Sequence, residues 1–120
     1  MTFFLSEGVS IAAIRSAVPD NLVSVQDFED VFGREAVEKF SKSTGIYQMY
    51  KALPEQTASD LAYVATEQLL TDKAVDRSQI GALIFVTQSP DYRRPATACV
   101  LQKRLGLSED CAAVDVGLGC

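Results

Sequence analysis

Three cysteines and no histidine define the covalent chemistry open to this 120-residue chain. A thiolate attacks carbonyl carbon and carries acyl groups, so Cys99, Cys111 and Cys120 are the candidate nucleophiles. Cys120 differs from the other two in its setting. It follows the apolar run Cys111–Val116 through Gly117-Leu118-Gly119. Such a turn of small residues lets the backbone bend sharply and lets an acyl group come close. A cysteine placed there normally leads into a helix, whose N-terminal dipole favours the thiolate. A second reading stands beside this one, in which Cys120 is a small apolar residue near a chain end. Without histidine, no Ser-His, Cys-His or His-metal centre can be assembled from these residues alone. Any imidazole would have to come from another polypeptide or from further sequence. No metal site is expected. The odd cysteine count and the lack of CxxC indicate reduced thiols, with Cys99 and Cys111 in the core.

These residues sit among elements with clear punctuation. Val9–Ala17 is apolar with β-branched members, and Pro19-Asp20-Asn21 follows, which predicts a first strand and a turn. Ser24 and Asp27 have capping-box spacing, with Val25, Phe28, Val31 and Phe32 at helical intervals before Gly33. A short helix is predicted over Glu35–Lys42, stopped by Gly45, and Ile46–Leu53 is expected to be extended. Thr57 and Asp60 cap a helix over Ala58–Leu70. Ile80–Thr87 is apolar without alternation, the pattern of a strand buried on both faces. Pro95 suits the first turn of a helix that runs to about Leu105 and stops at Gly106. Cys111–Val116 is a further buried strand. Asp115, inside that strand, needs a partner wherever it is buried, and its role is expected to be structural. The strand–helix–strand order from Ile80 to Val116 makes a βαβ unit, hence an α/β architecture with helices on a mainly parallel sheet. Ligands of such sheets bind beyond the carboxyl ends of the strands, where Gln88–Arg94 and Gly117–Cys120 meet.

Composition narrows the function classes. Sixteen acidic against eleven basic residues give a net charge of −5, which disfavours non-specific nucleic-acid binding. No apolar run approaches the roughly 20 residues of a membrane span. Met1–Ser10 lacks a basic n-region and carries Glu7, so a cytoplasmic protein without a signal peptide is expected. Arg93, Arg94, Lys103 and Arg104 form a small basic group. Either it docks an acidic partner or it is a solvated surface with helix-end charges.

Several segments together resemble the N-terminal part of 3-oxoacyl-acyl-carrier-protein synthase III-like enzymes of the thiolase superfamily. They are Ser43-Thr44-Gly45-Ile46, Thr57 to Ala62, and Ile80 through Ser89-Pro90-Asp91. Pro95-Ala96-Thr97-Ala98, Leu101-Gln102, Leu105-Gly106 and Val114 to Cys120 follow in the family's order. The resemblance implies that residues 1–120 are most of the first α/β half of a thiolase-like domain, which is incomplete. It implies that Cys120 is the acyl-accepting cysteine of an acyltransferase or condensing enzyme. It implies acyl carrier protein or acyl-coenzyme A as thioester substrate, no permanently bound cofactor, and a homodimer. A histidine and an asparagine would come from the missing C-terminal half, so residues 1–120 alone would be inactive. The family often has an apolar residue before the Pro95 position; here Arg94 stands there, either contacting a charged substrate group or facing solvent. An arginine and a tryptophan that commonly serve coenzyme A are replaced by Ser43 and by Lys39 or Phe40. The contrasting reading is a non-catalytic thiolase-like half that binds or dimerises.

Overall fold

The structure is a computed structural model, and it describes residues 7–118. Two small sheets organise it. β1 (Leu22–Ser24) pairs antiparallel with β2 (Gln48–Tyr50), Leu22 opposite Tyr50. Between them lie a 3-10 turn at Val25–Phe28, α1 (Glu29–Phe32) and α2 (Arg34–Thr44). The expected capping box forms: Ser24 N–H donates to Asp27 Oδ2 at 2.9 Å. It opens a 3-10 turn first, and Gly33, at φ 81°, separates α1 from α2. Gly45 closes α2 in the left-handed region at φ 74°, a conformation open to glycine because it has no Cβ to clash.

The second sheet carries the predicted βαβ unit. β3 (Ala82–Val86) runs parallel to β4 (Ala112–Val116), with Ile84 opposite Val114. α4 (Thr97–Arg104) connects them, and α3 (Ala58–Asp72) packs on α4. The core is Phe85, Ala98, Leu101 and Leu105, flanked by Ala58, Ala62, Tyr63, Leu83, Leu107 and Ala113. Arg77 ties this layer together. It forms an ion pair with Glu67 at 2.6 Å and donates to the Leu105 carbonyl at the end of α4. The Glu67 carboxylate holds the Arg77 guanidinium above its ordinary pKa. Gln102 Nε2 closes the following turn on the carbonyls of Ser108 and Cys111, both at 2.8 Å.

Four expectations are corrected. Val9–Ala17 forms no strand: Val9, Ile11 and Ile14 are 79–84% exposed, with no neighbouring strand among the described residues to take up their backbone groups. Instead Arg15 is held against α3 by Asp72 at 3.1 Å and Gln68 at 3.1 Å. Strand β3 is covered on one face only. Phe85 is buried on α4, whereas Ile84 and Val86 on the opposite face are exposed. Pro95 lies before the helix, which starts at Thr97. Cys99 is exposed, since α4 turns Thr97, Ala98 and Leu101 inward and Cys99 outward; Cys111 is buried as expected. Few side chains are therefore fully enclosed, and the radius of gyration is 18.5 Å, against about 14 Å for a compact domain of this length.

Candidate functional site

The carboxyl ends of β3 and β4 lie side by side. Thr87 N–H donates to the Val116 carbonyl at 3.1 Å, carrying the ladder one step past β3. Two segments leave from this point. One is the loop 88–94, opened by a turn in which Ser89 N–H donates to Thr87 Oγ1 at 3.1 Å. The other is Gly117-Leu118, with Leu118 fully in solvent. A Cβ on Gly117 would lie 3.8 Å from the Thr87 carbonyl, so the two exits run close together. Cys120, the predicted nucleophile, lies outside the described residues, four positions along the chain from the end of β4.

Asp115 fixes the edge from below. Its Oδ2 accepts from Thr97 N–H and its Oδ1 from Ala98 N–H, both at 2.7 Å. The first helical amides have no partner within their own helix, and a carboxylate is the strongest acceptor a side chain can offer them. Ala96, at the cap position, supplies no side-chain acceptor of its own. Asp115 is thus the structural residue expected from its position in an apolar strand, and its partner is the N-terminus of α4. It locks the strand that leads toward Cys120 to the helix that follows the loop 88–94.

A second polar cluster holds the loop from the side. Ser59 and Thr97 are both fully buried. Ser59 Oγ donates to Asp91 Oδ2 at 2.5 Å, and Asp91 N–H donates to Thr97 Oγ1 at 3.2 Å. Arg104 Nη1 reaches Ser59 Oγ at 3.3 Å, and Nη2 pairs with Asp60 at 3.0 Å. The Arg104 guanidinium also stacks over Tyr63, 4.6 Å from the ring centroid. Asp60 completes the α3 capping box through Thr57 N–H at 3.0 Å. Hydrogen bonds from the Thr57 backbone and hydroxyl, then Arg104, hold the Asp60 carboxyl below the usual carboxylate range. Arg104 is thereby engaged with Asp60, Ser59 and Tyr63. All four residues of the basic group singled out in the sequence are exposed, and Arg104 is the one engaged in these contacts. Arg94 sits on the loop beside Pro95 and makes no hydrogen bond or ion pair to the described residues.

The positions tied to coenzyme A lie elsewhere. Ser43 and Lys39 share an open, mixed-charge hollow on α2 with Glu35, Glu38 and Lys42. Ser43 Oγ donates to the Phe40 carbonyl at 3.0 Å, so its hydroxyl is used within the helix. Phe40 turns to the other side, into an apolar groove of about 440 Å³ with Val25, Phe28, Phe32, Val37 and Met49. Lys39, then, is the residue one turn before Ser43 on the same face. Neither hollow adjoins the carboxyl edge of β3 and β4. Among the described residues there is no cluster of potential metal ligands and no helix long and apolar enough to cross a membrane.

No protein-family model matches the chain. Individual proteins do. The chain is 38% identical over 112 residues to a beta-ketoacyl-[acyl-carrier-protein] synthase III of Helicobacter hepaticus, covering 92% of the chain and 33% of that protein. Its fold superposes on the crystal structure of a 3-oxoacyl-(acyl-carrier protein) synthase of Burkholderia xenovorans with a TM-score of 0.83 at 39% identity. That match spans 89% of this chain and 32% of the other. The chain has a thiolase-like fold of the 3-oxoacyl-acyl-carrier-protein synthase III type. A cerulenin-bound OleA of Xanthomonas campestris shares this thiolase-like arrangement at a TM-score of 0.79 and 26% identity, over 89% of this chain and 33% of its own. The chain spans about a third of the length of the synthases it matches. Within the thiolase-like fold, the sequence had not marked Ser59 and Asp115 as partners of the site loop and helix. The visible signals were a small polar residue just inside a capped helix and a carboxylate in an apolar strand.

Proposed function

We propose that residues 1–120 form most of the first half of a thiolase-like condensing enzyme and that Cys120 is its acyl-accepting nucleophile. The observation that carries this reading is the junction of the two exits, loop 88–94 and Gly117-Leu118, at the carboxyl edge of a parallel strand pair. Substrates of open α/β sheets bind at such an edge. Similarity to synthases that act with acyl carrier protein, as their names state, supports an acyl thioester as substrate.

The proposed reaction starts with the Cys120 thiolate adding to the thioester carbonyl. The tetrahedral adduct expels the donor thiolate, which takes up a proton, and leaves an acyl-cysteine. Backbone N–H groups at the edge stabilise the oxyanion. A histidine and an asparagine from the remaining part of the protein then assist decarboxylation of the second substrate, which releases CO2, and attack of its carbanion on the acyl-cysteine carbonyl, which forms the new carbon–carbon bond and expels the Cys120 thiolate. The exposed face of Ile84, Val86 and Val114 supports a further layer packed there. A homodimer in the cytoplasm, with no bound cofactor, completes the proposal. Arg94, exposed on the site loop, is available to a charged group of the thioester donor.

The test is mass mapping of the intact protein after limited labelling with an electrophilic acyl analogue. Cys99 provides an internal control, because it is an exposed thiol in the first turn of α4 rather than on the segment that follows β4. Cys120 is expected to label first, Cys99 slowly and buried Cys111 last. Labelling of Cys99 at a rate equal to or above that of Cys120 would overturn the assignment.

A further inference from the structure

Asp91 is the residue whose surroundings the reaction does not explain. Its Oδ2 is engaged by the buried Ser59 hydroxyl at 2.5 Å. Its Oδ1 is buried and has no hydrogen-bond partner among the described residues. Burial without a partner is unfavourable for a carboxylate oxygen, so something else must keep the side chain turned inward. On this exposed loop of Gln88, Ser89, Pro90, Tyr92, Arg93 and Arg94, Asp91 is the one residue drawn in. Ser59 is well placed to hold it. It lies in the first turn of α3, its hydroxyl also touching Thr57 Oγ1 at 3.1 Å and Arg104 at 3.3 Å. The Asp91 backbone repeats the tie on a second helix through Thr97 Oγ1 at 3.2 Å. Thr97 is in turn held by Asp115 of β4. One residue of the loop is therefore pinned to the starts of α3 and α4, and α4 is fixed to the strand that leads to the proposed nucleophile.

We propose that Asp91 is a positioning residue: with Ser59 as its donor, it latches the loop 88–94 against α3 and so sets the rim of the thioester site, including Arg94. This rests on the reading of that edge as the thioester site, and the test separates the two. The latch is a single bond with two named ends. Removing either end should have the same effect, and removing both should add nothing.

The experiment compares S59A, D91A, D91N and the double variant S59A/D91A in the intact protein. Amide hydrogen exchange of residues 88–94 is read alongside steady-state kinetics with an acyl thioester. S59A and D91A should each speed exchange of the loop by about tenfold, the factor carried by one hydrogen bond of typical net worth. Leu101 in α4 and Leu105 at its C-cap should stay protected. The double variant should match the single ones. D91N keeps an oxygen for the Ser59 hydroxyl and should retain most of the protection. KM for the thioester should rise several-fold in S59A and D91A while kcat changes less than twofold, a split that general loss of folded protein does not produce. Unchanged loop exchange, an additive double variant, or loosened loops with unaltered KM would each overturn the latch. Absence of thioester turnover in the parent protein would count against the functional reading alone, with loop exchange still deciding the latch.

Discussion

Replacing Asp115 should destabilise the fold more than any exposed carboxylate does, and the size follows from its contacts. Both carboxylate oxygens accept a helix N-terminal N–H at 2.7 Å. Hydrogen bonds to a charged group contribute about 1.5–3 kcal/mol each. Two such bonds would suggest about 3–6 kcal/mol if simply added. The sum is an overestimate, because water can reach amides freed at a helix end and loss of an ordinary N-cap costs only about 0.5–2 kcal/mol. Asp115 is half-buried, and Thr97 and Ala98, which donate to it, are wholly buried. The expected cost of D115A is therefore about 2–3 kcal/mol, above the usual cap. D115N should cost about 2 kcal/mol. Its amide oxygen keeps one bond without the charge, and its NH2 group faces the other N–H, donor against donor. Chemical denaturation in urea reads this directly. With a slope of about 1–3 kcal/mol per molar, a loss of 2 kcal/mol moves the midpoint by about 1 M. D110N, an exposed carboxylate in the turn before β4, is the control and should stay within about 0.5 kcal/mol of the parent. The reasoning fails if D115A and D110N shift the midpoint equally, since the two bonds would then contribute nothing beyond surface charge.

Three more outcomes are expected. The Asp60 carboxyl is held low by the Thr57 hydrogen bonds and Arg104, so its contribution is present above the unfolded carboxylate pKa of about 3.9 and is lost as pH falls through the lower folded value. Acid titration of stability should therefore be shallower in D60N than in the parent. Gly45→Ala should cost about 1–2 kcal/mol by thermal or chemical denaturation, purely from the left-handed backbone at φ 74°, because a Cβ there meets no atom within 4 Å. Ser43 spends its hydroxyl on the Phe40 carbonyl and Lys39 shares its hollow with Glu35 and Glu38, so an acyl chain on a carrier protein should react better than the same chain on coenzyme A. Paired kinetics with the two donors check this, and a preference for the coenzyme A thioester would contradict it.

Local chemistry was readable where it was self-contained. The capping boxes at Ser24/Asp27 and Thr57/Asp60 form as spaced, because each box is closed within three residues by its own side chains. The βαβ unit from β3 to β4 was equally legible, since strand and helix periods do not depend on distant partners. The misreadings fall where the answer lies far along the chain. Pro95 offered a suitable first helical residue, but the acceptor that receives the first helical amides is Asp115, 18 residues after Thr97, and the helix starts where that carboxylate can reach. Cys99 is a small apolar residue in an amphipathic segment, and only the placement of Leu101 and Leu105 against Phe85 decides that it faces out.

Val9–Ala17 and β3 make a different case. β3 is unbroken apolar and Val9–Ala17 is apolar apart from Ser10, Arg15 and Ser16, yet Ile11, Ile14, Ile84 and Val86 are more than 60% exposed among the described residues. A β-branched run has a strand's preference, but that preference is worth little until a neighbour supplies hydrogen bonds and a packed face. The pattern in these two segments is therefore one of burial that residues 7–118 do not provide. The same pattern is absent where the chain faces solvent by design: the exposed flank of α2 alternates Arg34, Glu38 and Lys42, whose paired charges at 2.8 and 3.6 Å need no cover. Exposed Ile84 and Val86 thus differ from an ordinary surface in composition as well as in area. This is why the bare face supports a further layer, whereas the helix flank supports none.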